Sequence, residues 1–434
     1  MTTLTRTGRT PGIPAFVPPG AAAGPTAAEL IRRERTYGAR NYDPLPVVIS
    51  HGEGSWLVDV EGRRHLDLMS AYSAVSFGHG HPKIVAALTE QAHRLAVTSR
   101  AYFNDRLPLL LERLVAMTGL DRALPVNTGL EAVETAIKAA RKWGHKVKGI
   151  PEGRARIIAC RGNFHGRSIT ITGLSTEAQY RDGFGPFPAG LDTIPFGDPA
   201  ALAAAIGPDT AAFLVEPVQG EAGIVVPPDG YLAHCAEICH RRRVLLICDE
   251  VQTGLGRTGH TLGWQHDGAM PDGVILGKAL GGGLLPVSAF VATDEVMQVF
   301  NPGDHGSTFG GNPLAASVAL AAIGVLEDER LVMRSRELGA WLLDELRAIA
   351  SPLVVDVRGR GLFIGIEVDA ARVTAREVVD RLLARGILSK DTHGTVVRIA
   401  PPLNVPREAL VWAVGEIRAV FSEIEGETRA AARA

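Results

Sequence analysis

Lys278 is the residue of this chain with the clearest chemical consequence. It follows an apolar run, Val274 to Leu276, that reads as a buried strand, and it enters a turn ending in Gly281, Gly282 and Gly283. An ammonium held at the end of a buried strand costs several kcal/mol unless it is paired or neutralised, and a lowered pKa or a covalent Schiff base relieves that cost. Asp249 complements it, because it ends a second apolar run, Val244 to Cys248. If both runs belong to one parallel sheet, the two side chains leave at the same carboxyl edge, where ligands of such sheets gather. A carboxylate about 4 Å from a protonated pyridine nitrogen is worth roughly 4 kcal/mol at an effective dielectric of 20, or about three pK units. A Schiff-base lysine and an acid that keeps a ring nitrogen protonated are what pyridoxal phosphate requires to act as an electron sink. Each residue also has a plain structural reading, the lysine as a snorkelling side chain and the aspartate as a helix cap.

That cofactor would bring a phosphate, so an anion site is expected. Thr128-Gly129-Leu130-Glu131 is a capping-box pattern that opens a helix carrying Val133, Ala136, Ile137 and Ala140. The amides of Gly129 and Leu130 suit a phosphate, with the helix dipole adding about 0.3–1 kcal/mol, although many helices begin this way without binding anything. A competing pattern, Gly254-Leu255-Gly256-Arg257-Thr258-Gly259, satisfies G-x-G-x-x-G and would suggest a nicotinamide-dependent dehydrogenase. It lacks the required context: Asp249 to Thr253 intervene after the strand, and His260 to Met270 does not read as a helix. A non-catalytic binding scaffold is the third alternative. No metal is expected, since Cys160, Cys235, Cys239 and Cys248 have no metal-ligand spacing and the turn carrying His79 and His81 cannot converge both rings without further ligands.

The elements that must position these residues follow from pattern. The chain has 434 residues, 46% hydrophobic and 21% charged, which is ample for a core in two or three units. A net charge of -2 excludes a nucleic-acid footprint or a polybasic membrane patch, and no apolar run is long enough to span a bilayer. Cysteines with no disulfide pattern fit a reducing, cytoplasmic setting. Residues 1–35 read as a mobile arm, within which a short helix begins near Glu29, and residues 36–80 form an N-terminal segment with a hairpin around Glu61-Gly62. Residues 81–312 alternate strands (Arg156 to Ala159, Ala211 to Val215, Val244 to Cys248, Val274 to Leu276, Val287 to Val291) with helical patterns. That is an α/β fold with a mainly parallel sheet covered on both faces. Residues 313–434 form a smaller α+β unit ending in a helix, Glu408 to Phe421, and a tail expected to fray.

The run from Cys248 to Gly259, followed by Leu276-Gly277-Lys278-Ala279-Leu280-Gly281-Gly282-Gly283, resembles the signature of the class III, fold-type-I pyridoxal-phosphate aminotransferases. Tyr72-Ser73-Ala74-Val75, Thr98-Ser99-Arg100-Ala101, Asn127-Thr128-Gly129, Asp182-Gly183-Phe184-Gly185-Pro186-Phe187 and His305-Gly306-Ser307-Thr308 extend the likeness to the ornithine δ-aminotransferase branch, over about residues 36 to 422. The resemblance implies a large domain with a seven-stranded sheet and a homodimer with a shared site. By it, Lys278 carries the cofactor and shuttles a proton, Asp249 pairs with the pyridine nitrogen, Gln252 bonds the ring oxygen and Phe164 stacks on the ring. Gly129 and Leu130 bind the phosphate, and Ser307 and Thr308 reach that of the neighbouring subunit.

The implied substrates are L-ornithine and 2-oxoglutarate, which pose one site a physical problem, because it must accept both an amino terminus and a dicarboxylate. The resemblance assigns Arg398 to the α-carboxylate of glutamate and Glu221 to shielding Arg398 when ornithine binds. It assigns Arg167 and Tyr42 to the distal carboxylate and Tyr72 to the pocket wall. Two residues depart from that branch: His165 stands where a tryptophan is usual and Leu130 where a valine is. The rivals within the class are acetylornithine, 4-aminobutyrate and lysine ε-aminotransferases, against which Tyr42, a phenol donor, favours a free α-amino acid head.

Overall fold

A computed structural model of the chain describes residues 25–431. Of the arm expected over residues 1–35, residues 1–24 lie outside the described residues, and a helix, Ala27–Tyr37, begins soon after. Thr26 caps it through a reciprocal pair of bonds with Glu29. Strands β1 (Ile49–Glu53), β2 (Trp56–Asp59) and β3 (Arg64–Asp67) follow as an antiparallel meander. The β2–β3 hairpin matches the turn signal at Glu61-Gly62, whereas β1 is exposed along its length and carries no alternation to read.

The central sheet comprises β4 (Arg122–Val126), β5 (Arg156–Cys160), β6 (Leu191–Ile194), β7 (Thr210–Val215), β8 (Leu245–Asp249), β9 (Gly273–Leu276) and β10 (Ser288–Ala292). Its order is β4-β10-β9-β8-β7-β5-β6, parallel throughout except for β10, which runs antiparallel to both neighbours. The mainly parallel seven-stranded sheet is therefore present. The patterns missed β4 and β6, the two edge strands: one contains Pro125 and the other buries only Ile194, so neither offers a continuous apolar run.

Interior strands are apolar on both faces because helices cover both. In β8, Leu246 and Cys248 join one core cluster while Leu245 and Ile247 join the other, and β7 divides Phe213 and Val215 from Ala212 and Leu214 in the same way. The second cluster is closed by the helix Gly129–Trp143, which buries Ala132, Val133, Ala136, Ile137 and Ala140. Each fully buried aliphatic side chain contributes about 1.5–3 kcal/mol. Asp249 continues the register of Leu245 and Ile247, so it meets the face on which that helix begins.

Helices Pro313–Asp328 and Leu331–Arg347 lead to a second small sheet. The remaining strands are β11 (Val354–Arg360), β12 (Phe363–Val368), β13 (Ile387–Leu388), β14 (Lys390–Thr392) and β15 (Val396–Ile399). Four of them form the order β11-β12-β15-β14, while β13 pairs in parallel with β3, Ile387 opposite Leu66 and Leu388 opposite Asp67. The last helix, Arg407–Ala431, runs well past the expected stop at Phe421, and the tail expected to fray is helical as far as Ala431. Salt bridges from Arg381 to Glu427 (2.7 Å) and from Arg385 to Glu416 (2.6 Å) hold it against the helix Ala375–Ala384, a cross-helix pairing that local composition does not reveal. No helix among the described residues is long and apolar enough to cross a membrane.

Candidate active site

The carboxyl edges of β8 and β9 deliver Asp249 and Lys278 into one cavity of about 160 Å³. Asp249 pairs in register with Ile275, three residues before Lys278, so adjacent strands place the two groups side by side. The close approach of chains at this point requires Gly277, where a Cβ would lie 2.7 Å from Ser288 Oγ. Lys278 itself has a left-handed φ of 43°, uncommon for a non-glycine residue and typical of functional positions. Enclosure lowers its amine from the ordinary 10.5 to about 8, against the raising effects of Glu221, Asp249 and Glu216 and with the help of Arg398. A neutral amine is the reactive form. Capture of added pyridoxal phosphate by the apoprotein is therefore expected to accelerate with pH and level off above about 8; a stopped-flow absorbance profile still climbing toward 10.5 would contradict this.

Gly129, Leu130, Phe164, Gln252 and Lys278 all line the cavity with Asp249. Thr128 and Glu131 form the expected capping box, Glu131 Oε2 accepting from the Asn127 and Thr128 N–H groups, which leaves the Gly129 and Leu130 amides out of the cap. Ser307 and Thr308 lie outside the cavity lining. Ser307 Oγ accepts from Asn127 Nδ2 at 2.7 Å, and Thr308 is exposed.

Two residues that sequence reasoning did not place in the site belong to it. His165 Nδ1 sits 2.7 Å from Asp249 Oδ2, and both are buried. Burial opposes the imidazolium, but the bond to Asp249 and the charges of Asp249 and Glu216 outweigh it and raise the His165 pKa. Glu216 accepts from Phe164 N at 2.9 Å and Gly220 N at 3.2 Å, and burial, with Asp249 nearby, pushes its carboxyl up to about 7. The signal for Glu216 was available: it directly follows the buried strand β7, as Asp249 ends β8.

Tyr42, Tyr72, Arg167, Glu221 and Arg398 lie outside the cavity lining, and Glu221 and Arg398 adjoin it through Gln252. Arg398, on β15 and 2% exposed, donates through Nη1 to Glu221 Oε1 at 2.7 Å and through Nη2 to Gln252 Oε1 at 2.9 Å. Burial alone would raise the Glu221 carboxyl, but Arg398 and Lys278 hold it below its ordinary value. The Arg398 guanidinium lies 5.2 Å from the centre of the Tyr72 ring. Tyr72 belongs to a run, Ser70 to Ser73, whose φ values of 41°, 46°, 58° and 74° are all left-handed. Such a conformation costs roughly 1–2 kcal/mol per residue. It is held by Asp67 Oδ1, which accepts from Met69 N and Ser70 N at 2.8 Å each, and by the Ser70 hydroxyl donating to Ala400 O. Arg257, wholly buried, donates to Ser70 Oγ, Ser76 Oγ and the carbonyls of Leu362 and Pro401. Thus the glycine-rich segment Gly254–Gly259 is a buried turn that anchors the small sheet rather than a dinucleotide loop.

Arg167 stacks over Tyr180 at 4.3 Å and lies 5.6 Å from the Phe164 ring centre. Tyr42 is exposed; burial raises the Tyr72 phenol, Glu221 and Tyr42 add to the rise, and Arg398 opposes it. Among the described residues no group of three or more His, Cys, Asp or Glu side chains could hold a metal. The donor set fits pyridoxal phosphate: an amine at a lowered pKa, a buried carboxylate backed by a histidine, a flat aromatic face and uncapped amides at a helix N-terminus.

Comparison with known proteins gives the same picture. The family model for class-III aminotransferases matches residues 37–421. Ornithine aminotransferase from Bacillus subtilis is 54% identical over 91% of this chain and 97% of its own, and that of Bordetella pertussis is 52% identical over 92% and 97%. Among solved structures, an ornithine aminotransferase from Toxoplasma gondii with partial occupancy of PLP at its active site aligns with a TM-score of 0.92 at 44% identity, covering 93% of this chain and 96% of that one. An acetylornithine aminotransferase from Elizabethkingia anophelis aligns with a TM-score of 0.83 at 43% identity, covering 92% of this chain and 100% of that one.

Proposed function

The chain belongs to the class-III aminotransferases, and from that premise we propose how its residues divide the work of ornithine transamination. The reaction passes the δ-amino group of L-ornithine to 2-oxoglutarate, giving glutamate and glutamate 5-semialdehyde, which cyclises to pyrroline-5-carboxylate. Pyridoxal phosphate supplies the aldehyde that accepts the amino group and the ring that draws off the electron pair left on the substrate carbon.

The protein's part is binding, orientation and proton movement. Gly129 and Leu130 N–H groups would hold the phosphate at the helix N-terminus, Phe164 would offer an aromatic face to the ring, and Gln252 would donate to the ring oxygen. Asp249, fixed by His165, would keep the ring nitrogen protonated. Lys278 Nζ, with a pKa near 8, takes the proton from the substrate carbon and returns it, close to the operating pH at which a general base works best. Arg167 and Tyr42 bind the head carboxylate of ornithine while Tyr72 shapes the wall. Glu221 covers Arg398 during that half of the cycle and yields it to the α-carboxylate of glutamate in the other.

The observation that carries this reading is the 2.7 Å Arg398–Glu221 pair beside the cavity of Lys278 and Asp249, a cation masked where a diamine acid must enter. A donor screen against 2-oxoglutarate with an o-aminobenzaldehyde trap is expected to place ornithine first. N-acetylornithine, 4-aminobutyrate or lysine outranking it would overturn the assignment. Tyr42→Ile is expected to lower the preference for ornithine over N-acetylornithine by roughly tenfold, the value of one charged hydrogen bond, as read from kcat/KM for both donors.

A homodimer is part of the same proposal. Thr308 is exposed, and it lies beside Phe309 at 55% and near Phe103 at 96% exposure, segments joined by the bond from Asn104 to Gly311 O. A second subunit would cover these rings and bring Ser307 and Thr308 to the phosphate of its neighbour.

A further inference from the structure

Gln252 joins the cofactor side of the cavity to the substrate side. Its Nε2 donates to Glu221 Oε1 at 3.1 Å, and its Oε1 accepts from Arg398 Nη2 at 2.9 Å, alongside the direct bond between the two charged groups. One amide is therefore committed at both ends to the ion pair, while its side chain forms part of the wall around Lys278 and Asp249.

The surroundings leave that amide little freedom. Gln252 is buried, and Gly220, the residue before Glu221, makes room for it: a Cβ there would lie 2.7–2.8 Å from Nε2, Cδ and Oε1 of Gln252. The backbone that carries Glu221 is pinned from the opposite side. Thr392 Oγ1 donates to Glu221 O at 2.7 Å, and Arg358 donates to Gly223 O at 2.8 Å and to Ile224 O at 3.2 Å. Glu221 can thus leave Arg398 only by rotating its own side chain. When it does so, Gln252 Nε2 loses its acceptor, and when a substrate carboxylate takes Arg398, Gln252 Oε1 loses its donor.

Building on the roles given above to Glu221 and Arg398, we propose that Gln252 is the third member of the gate and the element through which its position is read at the cofactor, with Gly220 as the residue that permits this. With the gate shut, the amide is held at both ends by charged partners and favours the state that admits ornithine. With the gate open, the amide is released toward the cavity. Gln252 therefore sets the balance between the two half-reactions.

The test uses the cofactor-loaded enzyme and two variants, Gly220→Ala, which displaces the amide without removing it, and Gln252→Leu, which keeps much of its volume. Each is mixed with ornithine alone or glutamate alone, and single-turnover absorbance gives kcat/KM for both halves. Both variants are expected to lower the ornithine-to-glutamate ratio by about tenfold or more, because charge-assisted bonds are lost only from the shut state. Glutarate, an unreactive dicarboxylate, is expected to shift the visible absorption of the bound cofactor in the parent enzyme but not in the variants. Equal slowing of both halves with the glutarate response retained overturns the proposal, and if Gly220→Ala does not fold, Gln252→Leu alone decides. A parent enzyme inactive toward ornithine would instead defeat the ornithine assignment and take this proposal with it, whereas an active parent with unchanged ratios defeats only the coupling.

Discussion

Lys278→Ala is expected to lower ornithine turnover by at least about 10⁴-fold, since it removes both the attachment point for the cofactor and the base that moves the proton. The loss should fall on kcat. Secondary structure should be unchanged in circular dichroism, because Lys278 contributes to no core cluster and its ammonium is disfavoured where it sits. The apoprotein should for the same reason melt no lower than the parent. Retention of more than about 1% of the parent turnover would mean that another group does the work assigned to Lys278.

The second large effect is expected at Asp249. Asp249→Asn keeps the shape but removes the charge that holds a ring nitrogen protonated, worth roughly 4 kcal/mol or about three orders of magnitude in turnover. It also replaces the charged partner of His165 at 2.7 Å by a neutral amide, so burial, with less charge opposing it, acts to return the imidazole to its neutral form. Cofactor affinity should fall as well, measurable by dialysis and absorbance. A loss of less than tenfold in kcat, with affinity intact, would show that the carboxylate does not face the ring nitrogen.

The parts of this site that were legible in the sequence are those fixed by local pattern. Lys278 and Asp249 stood out because strands buried on both faces leave no polar residue until they end, and the Thr128–Glu131 cap because its first and last residues bond to each other. What escaped depended on contacts between distant segments. His165 meets Asp249 from 84 residues away, and nothing adjacent to either residue announces the bond. The left-handed run Ser70–Ser73 contains no glycine or asparagine, so its letters carry no turn signal; bonds from Asp67, Ala400 and Arg257 impose it. Arg257 was hidden inside a glycine pattern that invites a dinucleotide reading, and only its burial among carbonyls and hydroxyls discloses its work as an anchor. The edge strands β4 and β6 were missed for the opposite reason, since half-exposed strands lack the apolar density that marked their neighbours.

The parallel pairing of β3 with β13 bears on how the protein is made. Leu66 and Asp67 leave the ribosome early, but Ile387 and Leu388 emerge only when synthesis is almost complete, whereas every strand of the central sheet is available once Ala292 is out. The large sheet can therefore consolidate on the nascent chain while the N-terminal hairpin waits unpaired along one edge, in the manner of domains that fold in sequence during translation. Translation stalled or truncated before residue 387 would yield a polypeptide with an unsatisfied strand and no Arg398, a species suited to capture by chaperones rather than to catalysis.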